Sequence, residues 1–169
     1  PLLSLVALTA SFVAPRAHDT HPPQQQAPVP EDVAVELFDG ESLTGWSGDP
    51  SLWRVEEGAI TGETREDSPI EYNSFLTWTD GELDDFELEL EYRIFSGNSG
   101  IQIRSFALDK PHALGGYQAD IDAEGQWTGT NYGEQFRGIL AKRGEKVSVG
   151  DDGKPSLLGS LGDPERLRQ

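Results

Sequence analysis

Arg104, Gln118, Asp120 and Asp122 are the residues of this chain whose types and spacing could do chemistry together. They lie in two segments, Gly97-Asn98-Ser99-Gly100-Ile101-Gln102-Ile103-Arg104 and Gly116-Tyr117-Gln118-Ala119-Asp120-Ile121-Asp122, in which apolar and polar residues alternate. Each reads as a turn feeding a strand with two unlike faces. Ile101, Ile103, Tyr117, Ala119 and Ile121 fall on a side that reads as core. Gln102, Arg104, Gln118, Asp120 and Asp122 fall on the other, a floor for a polar ligand. Carboxylates two apart on one strand face are separated by roughly 6.5–7 Å. That spacing suits a shared cation or sugar hydroxyls, and it overlaps the spacing of paired carboxylates in inverting glycosidases. Solvation of a turn or edge is the competing reading. Arg104 on the adjacent strand would hold one carboxylate as an ion pair or bind a substrate oxygen. Trp127, Tyr132 and Trp78 offer stacking surface for a ring, although burial in a core is the commoner fate of such residues.

Several other chemistries are excluded. The sequence has no phosphate-binding Gly-Lys-Ser/Thr loop, no Gly-x-Ser-x-Gly elbow and no His-Glu-x-x-His. Gly97-Asn98-Ser99-Gly100 lacks the lysine of a phosphate loop and precedes a strand, so a tight β-turn is expected. Cysteine is absent, which removes disulfides, thiolate nucleophiles and zinc-thiolate sites. Of the three histidines, His18 and His21 lie near the N-terminus, leaving His112 alone in the remainder. No multi-histidine metal site can form there. The formal net charge is -17, and residues 1–30 contribute nothing to it because Arg16 and Asp19 cancel. A surface so acidic repels nucleic acid and anionic lipid. Solubility accounts for it, and recruitment of a divalent cation is the sharper alternative.

The elements that must position these residues can be read next. Leu2 to Ala14 is an apolar run of signal-peptide length, too short to span a bilayer. With no initiator Met and no basic segment before it, residues 1–17 read as a partial signal peptide, with cleavage near Ala14 or Ala17. Residues 18–32 are a Pro/Gln-rich linker with nothing apolar to bury. Export follows as an expectation, secreted or periplasmic, with no membrane insertion once the signal is removed. The domain then spans 33–169. Leu37-Phe38-Asp39-Gly40 to Trp46 reads as a short strand, a turn and an aromatic plug. Trp53-Arg54-Val55 and Ala59-Ile60-Thr61 flank Glu56-Glu57-Gly58 at hairpin spacing. Asn73 to Trp78 is a further strand candidate. Phe86, Leu88, Leu90, Tyr92 and Ile94 alternate with Glu87, Glu89, Glu91 and Arg93, which predicts a strand with a solvated acidic face. No helical pattern precedes Gly150. The fold class is therefore all-β, an antiparallel β-sandwich or jelly roll. Gly150 to Pro155 is a turn, and Leu157, Leu158 and Leu161 are too few to predict an element. Two-sheet β domains often run to about 200–250 residues, so truncation at the C-terminus is expected.

Taken in order, Leu37-Phe38-Asp39-Gly40 through Gly45-Trp46, Trp53-x-Val55-x-x-Gly58-x-Ile60-x-Gly62, Asp85-Phe86-Glu87-Leu88, Asn98-Ser99-Gly100-Ile101-x-Ile103-Arg104 and Gly116-Tyr117-Gln118-Ala119-Asp120-Ile121 resemble the 3-keto-disaccharide hydrolase domain family. Its members are exported bacterial proteins with a concanavalin A-like lectin/glucanase sandwich, also described as 3-keto-glucoside 1,2-lyase/3-keto-2-hydroxyglucal hydratase proteins. The resemblance covers about residues 35–147. It implies an enzyme cleaving the glycosidic bond of 3-keto-glucosides or 3-keto-disaccharides, by hydrolysis or by 1,2-elimination followed by hydration. A non-catalytic lectin-like carbohydrate-binding module is the alternative, and a structural or adhesive surface domain a third reading. Such chemistry needs a base for the proton on C2, an electrophile for the enolate and an acid for the leaving group. Arg104 matches the family's arginine and is assigned as electrophile or anchor. Many relatives read Gly-Tyr-Glu-x-Gln-Ile where this chain has Gln118 and Asp120, so carboxylate and amide are exchanged. Asp120 is then the expected base or metal ligand, with Asp122 as the second carboxylate. Gln102, Gln118, Tyr132, Glu134 and Trp127 would bind the carbohydrate. A divalent cation stabilising the enolate would suit the acidic face, although no metal site is defined by the sequence.

Overall fold

Period-two patterning broken by frequent turn residues yields strands and, among the described residues, no helix. The computed structural model describes residues 34–163 and the backbone of Leu3–Ser4 and Ser11–Val13. Its elements are β1 (Leu3–Ser4), β2 (Ser11–Val13), β3 (Trp46–Ser47), β4 (Trp53–Glu56), β5 (Ala59–Thr64), β6 (Thr77–Trp78) and β7 (Glu87–Glu89). They continue with β8 (Asn98–Ala107), β9 (Leu114–Asp122), β10 (Asn131–Glu134), β11 (Gly138–Ala141), β12 (Glu145–Val149) and β13 (Pro155–Ser160). The largest sheet has the order β11-β10-β9-β8; β1-β5-β4 forms a second, and β12-β13, β2-β7 and β3-β6 are paired strands. Every pairing is antiparallel. The fold is all-β and consistent with an antiparallel sandwich, although this strand order does not by itself define a jelly roll.

The expected hairpin at Trp53–Thr61 forms as β4–β5. Glu57 (φ 51°) and Gly58 (φ 74°) are both left-handed, the backbone of a two-residue turn whose twist matches the flanking strands. The Trp53 ring lies on Gly62, its cross-strand partner; a Cβ at Gly62 would come within 2.6 Å of it. Trp46 pairs with Trp78 across β3–β6, and its indole Nε1 donates to the Leu37 carbonyl at 2.8 Å. The plug forms as expected, but Leu37-Phe38 is a bend rather than a strand, with Phe38 buried.

Three other expectations change. The Phe86–Ile94 alternation persists as burial, with Phe86, Leu88, Leu90 and Ile94 part-covered and the glutamates exposed. Only Glu87–Glu89 finds a ladder partner, in the backbone of β2. Asn98-Ser99-Gly100 is the start of β8 rather than a turn, because it pairs with Asp122-Ile121-Asp120; the left-handed residue is Gly97 (φ 68°). Residues 145–160 form the hairpin β12–β13, which the sparse leucines did not predict. The signal-peptide reading of residues 1–17 falls outside the described residues except for the backbone of β1 and β2, and the linker at 18–32 lies outside them entirely. Among the described residues no helix is long and apolar enough to cross a membrane.

Burial also redistributes the two faces of β8 and β9. On the face expected to be core, Ile121 is buried but Ile103 and Ala119 are exposed. Phe106, Tyr117 and Phe136 make edge-to-face contacts there with ring centroids 5.1 and 6.0 Å apart, and Phe106 and Phe136 remain exposed. The polar face looks toward β4–β5 across a cavity of about 230 Å³, lined among others by Trp53, Gly62, Gly100 and Gln118.

Asp122 organises the connection from β9 to β10. Its Oδ2 accepts from the Gln126 N–H at 2.9 Å, and its Oδ1 from the N–H groups of Trp127 (2.9 Å) and Thr128 (2.7 Å). The Thr128 hydroxyl donates to Oδ1 at 2.8 Å and accepts from the Asp122 N–H at 2.9 Å. Burial alone would raise the pKa of this carboxyl. The bonds from Thr128, Trp127 and Gln126 outweigh burial and hold it below the ordinary aspartate value. Replacing Asp122 by Ala leaves several part-buried donors of the loop unpaired and should cost about 1–3 kcal/mol in urea unfolding at pH 7. A carboxyl with a lowered folded pKa stabilises the protein above its unfolded value of about 3.9, and that contribution is lost as pH falls through the folded value. The difference between parent and Asp122→Ala should therefore shrink below about pH 4. A gap unchanged down to pH 2 would contradict this account.

Candidate functional site

The pairing of β8 with β9 sets which polar residues meet. Gln102 lies opposite Gln118, Gly100 opposite Asp120 and Asn98 opposite Asp122, and on the next strand Tyr132 lies opposite Gln118 and Glu134 opposite Gly116. Alternation then places Gln102, Gln118, Asp120, Asp122, Tyr132 and Glu134 on one face.

Gly100 makes room on that face. A Cβ at Gly100 would stand 2.5 Å from Gln118 Cγ, so the glutamine lies across a position with no side chain of its own. From there Gln118 Nε2 donates to Asp120 Oδ1 at 2.8 Å. Asp120 is half-buried, and its carboxyl holds its proton more tightly than an ordinary aspartic acid. Burial is the largest cause, the Gln118 hydrogen bond opposes it, and the charges of Glu134 and Asp122 add to it. Glu134 is buried and accepts from Asn73 Nδ2 (3.2 Å) and Gln135 Nε2 (3.1 Å). Asn73 in turn lines the same 230 Å³ cavity as Gln118. Among the described residues no ion pair reaches Asp120, Asp122 or Glu134.

Arg104 is not brought to this group. The register shifts between Ile103 and Phe106, and Arg104 sits in that bulge with φ 48°. Its guanidinium bonds Asp84 Oδ1 (3.3 Å), the Asp84 carbonyl (3.2 Å) and Asp85 Oδ1 (3.1 Å). The expected pairing of Arg104 with Asp120 or Asp122 is thus replaced by one with the acidic turn before β7. The bulge is the cause, since it ends the regular alternation that had placed Arg104 on the polar face. Trp127 projects from the loop closed by Asp122 and lines neither this cavity nor the larger one beside it, whereas Trp78 lines the larger one.

Both Asp122 oxygens are taken up by its loop, Glu134 is held by two amides, and among the described residues no three His, Asp or Glu side chains converge as a metal-binding group. The site can accept one proton, at Asp120, beside amide and hydroxyl groups able to hydrogen-bond a polyhydroxylated ligand. Asn73 and Gly100 are the members that composition did not single out. Asn73 is a polar residue at the head of an apolar run, and Gly100 matters for the side chain it lacks.

Comparison with known proteins bears on what ligand that is. No curated protein and no solved structure matches the chain. One family model does, over residues 33–156, and it is described as the 3-keto-alpha-glucoside-1,2-lyase-like domain. The match includes every strand from β3 to β12 and the whole of the polar face. The chain belongs to the 3-keto-alpha-glucoside-1,2-lyase-like domain family.

Proposed function

We propose that this chain cleaves 3-keto-glycosides by 1,2-elimination followed by hydration, with Asp120 as the base. The observation that carries the reading is the Asp120 carboxylate, half-buried, oriented by Gln118 and given a raised proton affinity by burial and by Glu134. Family membership supplies the substrate class. A ketone at C3 acidifies the proton on C2. Asp120 takes that proton, and the electron pair moves into the C2–C3 bond as the C3 oxygen becomes an enolate. The enolate collapses, a C1–C2 double bond forms and the C1–oxygen bond breaks. The departing oxygen takes its proton from water entering the half-open site. A second water then adds at C1 and a proton returns to C2, giving the free 3-keto sugar. Gln118 fixes the carboxylate, and Tyr132 with Gln102 would hydrogen-bond sugar oxygens from the same face. A base whose pKa is displaced upward toward the working pH is the arrangement general base catalysis favours. Asp122 has the opposite environment and is assigned to holding the loop.

Replacing Asp120 by Asn should lower kcat for a 3-keto-disaccharide by about 10²–10⁴-fold. The same change should not lower the thermal midpoint at pH 7. A carboxyl whose folded pKa is raised costs stability as pH climbs above its unfolded value of about 3.9, and Asn escapes that cost. Activity should fall on the acid side as Asp120 becomes protonated, at a pH above the ordinary aspartate range. Sugar release at the parent rate by Asp120→Asn would remove Asp120 as base. Tight carbohydrate binding without any release by the parent protein would favour the lectin-like alternative.

Arg104→Gln provides a contrast. Exposed ion pairs contribute about 0–1 kcal/mol, so its thermal midpoint should stay near that of the parent. Its kcat should remain within about tenfold, well above that of Asp120→Asn. A loss as deep as that of Asp120→Asn would return Arg104 to the reacting centre.

A further inference from the structure

Beside the polar face lies a second and larger cavity, of about 490 Å³. That is within the range of sites that enclose small organic ligands. Its wall includes the indoles of Trp46, Trp53 and Trp78, with Phe86 and Leu88 from the acidic strand and Gln102 from β8. It shares Trp53, Ser99 and Gly100 with the cavity that contains Gln118. The two spaces therefore meet where Gln118 crosses Gly100 to reach Asp120.

Two polar groups in this apolar wall have no partner among the described residues. Both amide atoms of Gln102, Nε2 and Oε1, are shielded from solvent without a hydrogen bond, and so is Trp53 Nε1. Leaving such groups unmade costs about 1–3 kcal/mol each. Together they offer two donors and an acceptor inside a pocket walled by flat rings. A phenolic oxygen matches that set: in the glycoside it accepts from Gln102 Nε2 or Trp53 Nε1, and as the released phenol it also donates to Gln102 Oε1. The wall also carries Thr77, Glu82, Ser99, Arg104 and Ser105, but a flat aromatic ring covers the three indoles with less desolvated hydroxyl than a sugar ring would.

The polar face gives an independent reason for the same class. Among the described residues neither neighbouring carboxyl is free to act as an acid beside Asp120: the Asp122 oxygens accept bonds from its loop, and Glu134 is engaged by Asn73 and Gln135. An alkoxide leaving from C1 then depends on water for its proton. A phenolate does not, because a phenol ionises near pH 10 and departs as a stable anion.

We infer that the 490 Å³ cavity is the subsite for an aromatic, hydroxyl-bearing aglycone, and that Gln102 and Trp53 recognise its oxygen. This rests on the reading of Asp120 as the base of a 3-keto-glycoside lyase, but binding at the cavity can be measured without any turnover. In the test, 2-naphthol is titrated into the full chain by calorimetry, and cleavage of a 3-keto 2-naphthyl glucoside is compared with that of a 3-keto-disaccharide. Saturable 2-naphthol binding is expected. Gln102→Leu, equal in size but apolar, should weaken it about tenfold while raising the thermal midpoint of the free protein. Trp53→Phe, which keeps a ring over Gly62 and deletes the N–H, should also weaken it. Both variants should lower kcat/KM for the naphthyl substrate about tenfold, and Trp53→Phe should change that for the disaccharide by less than about twofold. Absence of saturable 2-naphthol binding, or binding indifferent to both variants, overturns the subsite even if the disaccharide is cleaved. Binding that depends on Gln102 with neither substrate cleaved sustains the aromatic site and overturns the lyase reading instead.

Discussion

The cross-strand pairing of Gly100 with Asp120 is the constraint on which the candidate site depends. Because Gly100 has no side chain, the neighbouring Gln118 can lie across β8 and still reach the Asp120 carboxylate at 2.8 Å. A larger residue would force Gln118 aside and free the carboxylate to rotate. The same gap is where the two cavities join. One missing methyl group thus sets both the orientation of the Asp120 carboxylate and the passage beside it. The exchange of amide and carboxylate relative to the family pattern can be understood in this frame. Whichever of positions 118 and 120 carries the acid, the other lies two residues away on the same face and can hold it.

Asp120 and Asp122 show how environment separates two identical groups on one strand. Their spacing suggested a pair with a shared task. Asp122 instead turns both oxygens into the loop that follows, where backbone N–H groups favour its charge. Asp120 has one amide bond against burial and two neighbouring negative charges, so its charge is disfavoured. Displacement in opposite directions is how carboxylates acquire different roles. Here Asp122 is committed to structure, since the loop it holds carries the strand that brings Tyr132 and Glu134 alongside.

Much of this was legible from alternation. Period two identified the two faces of β8 and β9, the hairpin around Glu57-Gly58 and the burial pattern of Phe86–Ile94. Alternation does not encode which strand lies alongside, or where the register slips. Arg104 shares parity with Gln102, and only the bulge between Ile103 and Phe106 separates it from the polar face. Nor does alternation say which face another layer covers, and so Ile103 and Ala119 were assigned to a core although both are exposed. The hairpin β12–β13 escaped notice because its leucines are not buried: Leu157 is 67% exposed, and its strands are held by backbone pairing rather than by an apolar face. Asn73 was invisible because its partner, Glu134, is distant in sequence.

Features that weaken this fold are concentrated where the two cavities meet. Gln102 and Trp53 keep buried polar atoms without partners, and Asp120 keeps a charge that burial opposes. Evenly spread, such features would suggest a loosely specified interior. They lie instead around Gly100, whereas on the same face Asp122 has both oxygens engaged by its loop and Glu134 accepts two side-chain amides at Oε1. A protein that satisfies buried acids at one end of this face and leaves an amide and an indole N–H unsatisfied at the other has local reason to do so, because an unmet hydrogen bond in a pocket wall is open to something that enters the pocket. Polar satisfaction therefore marks the boundary of the site more sharply than residue type, which would have placed it at the densest run of glutamates on β7.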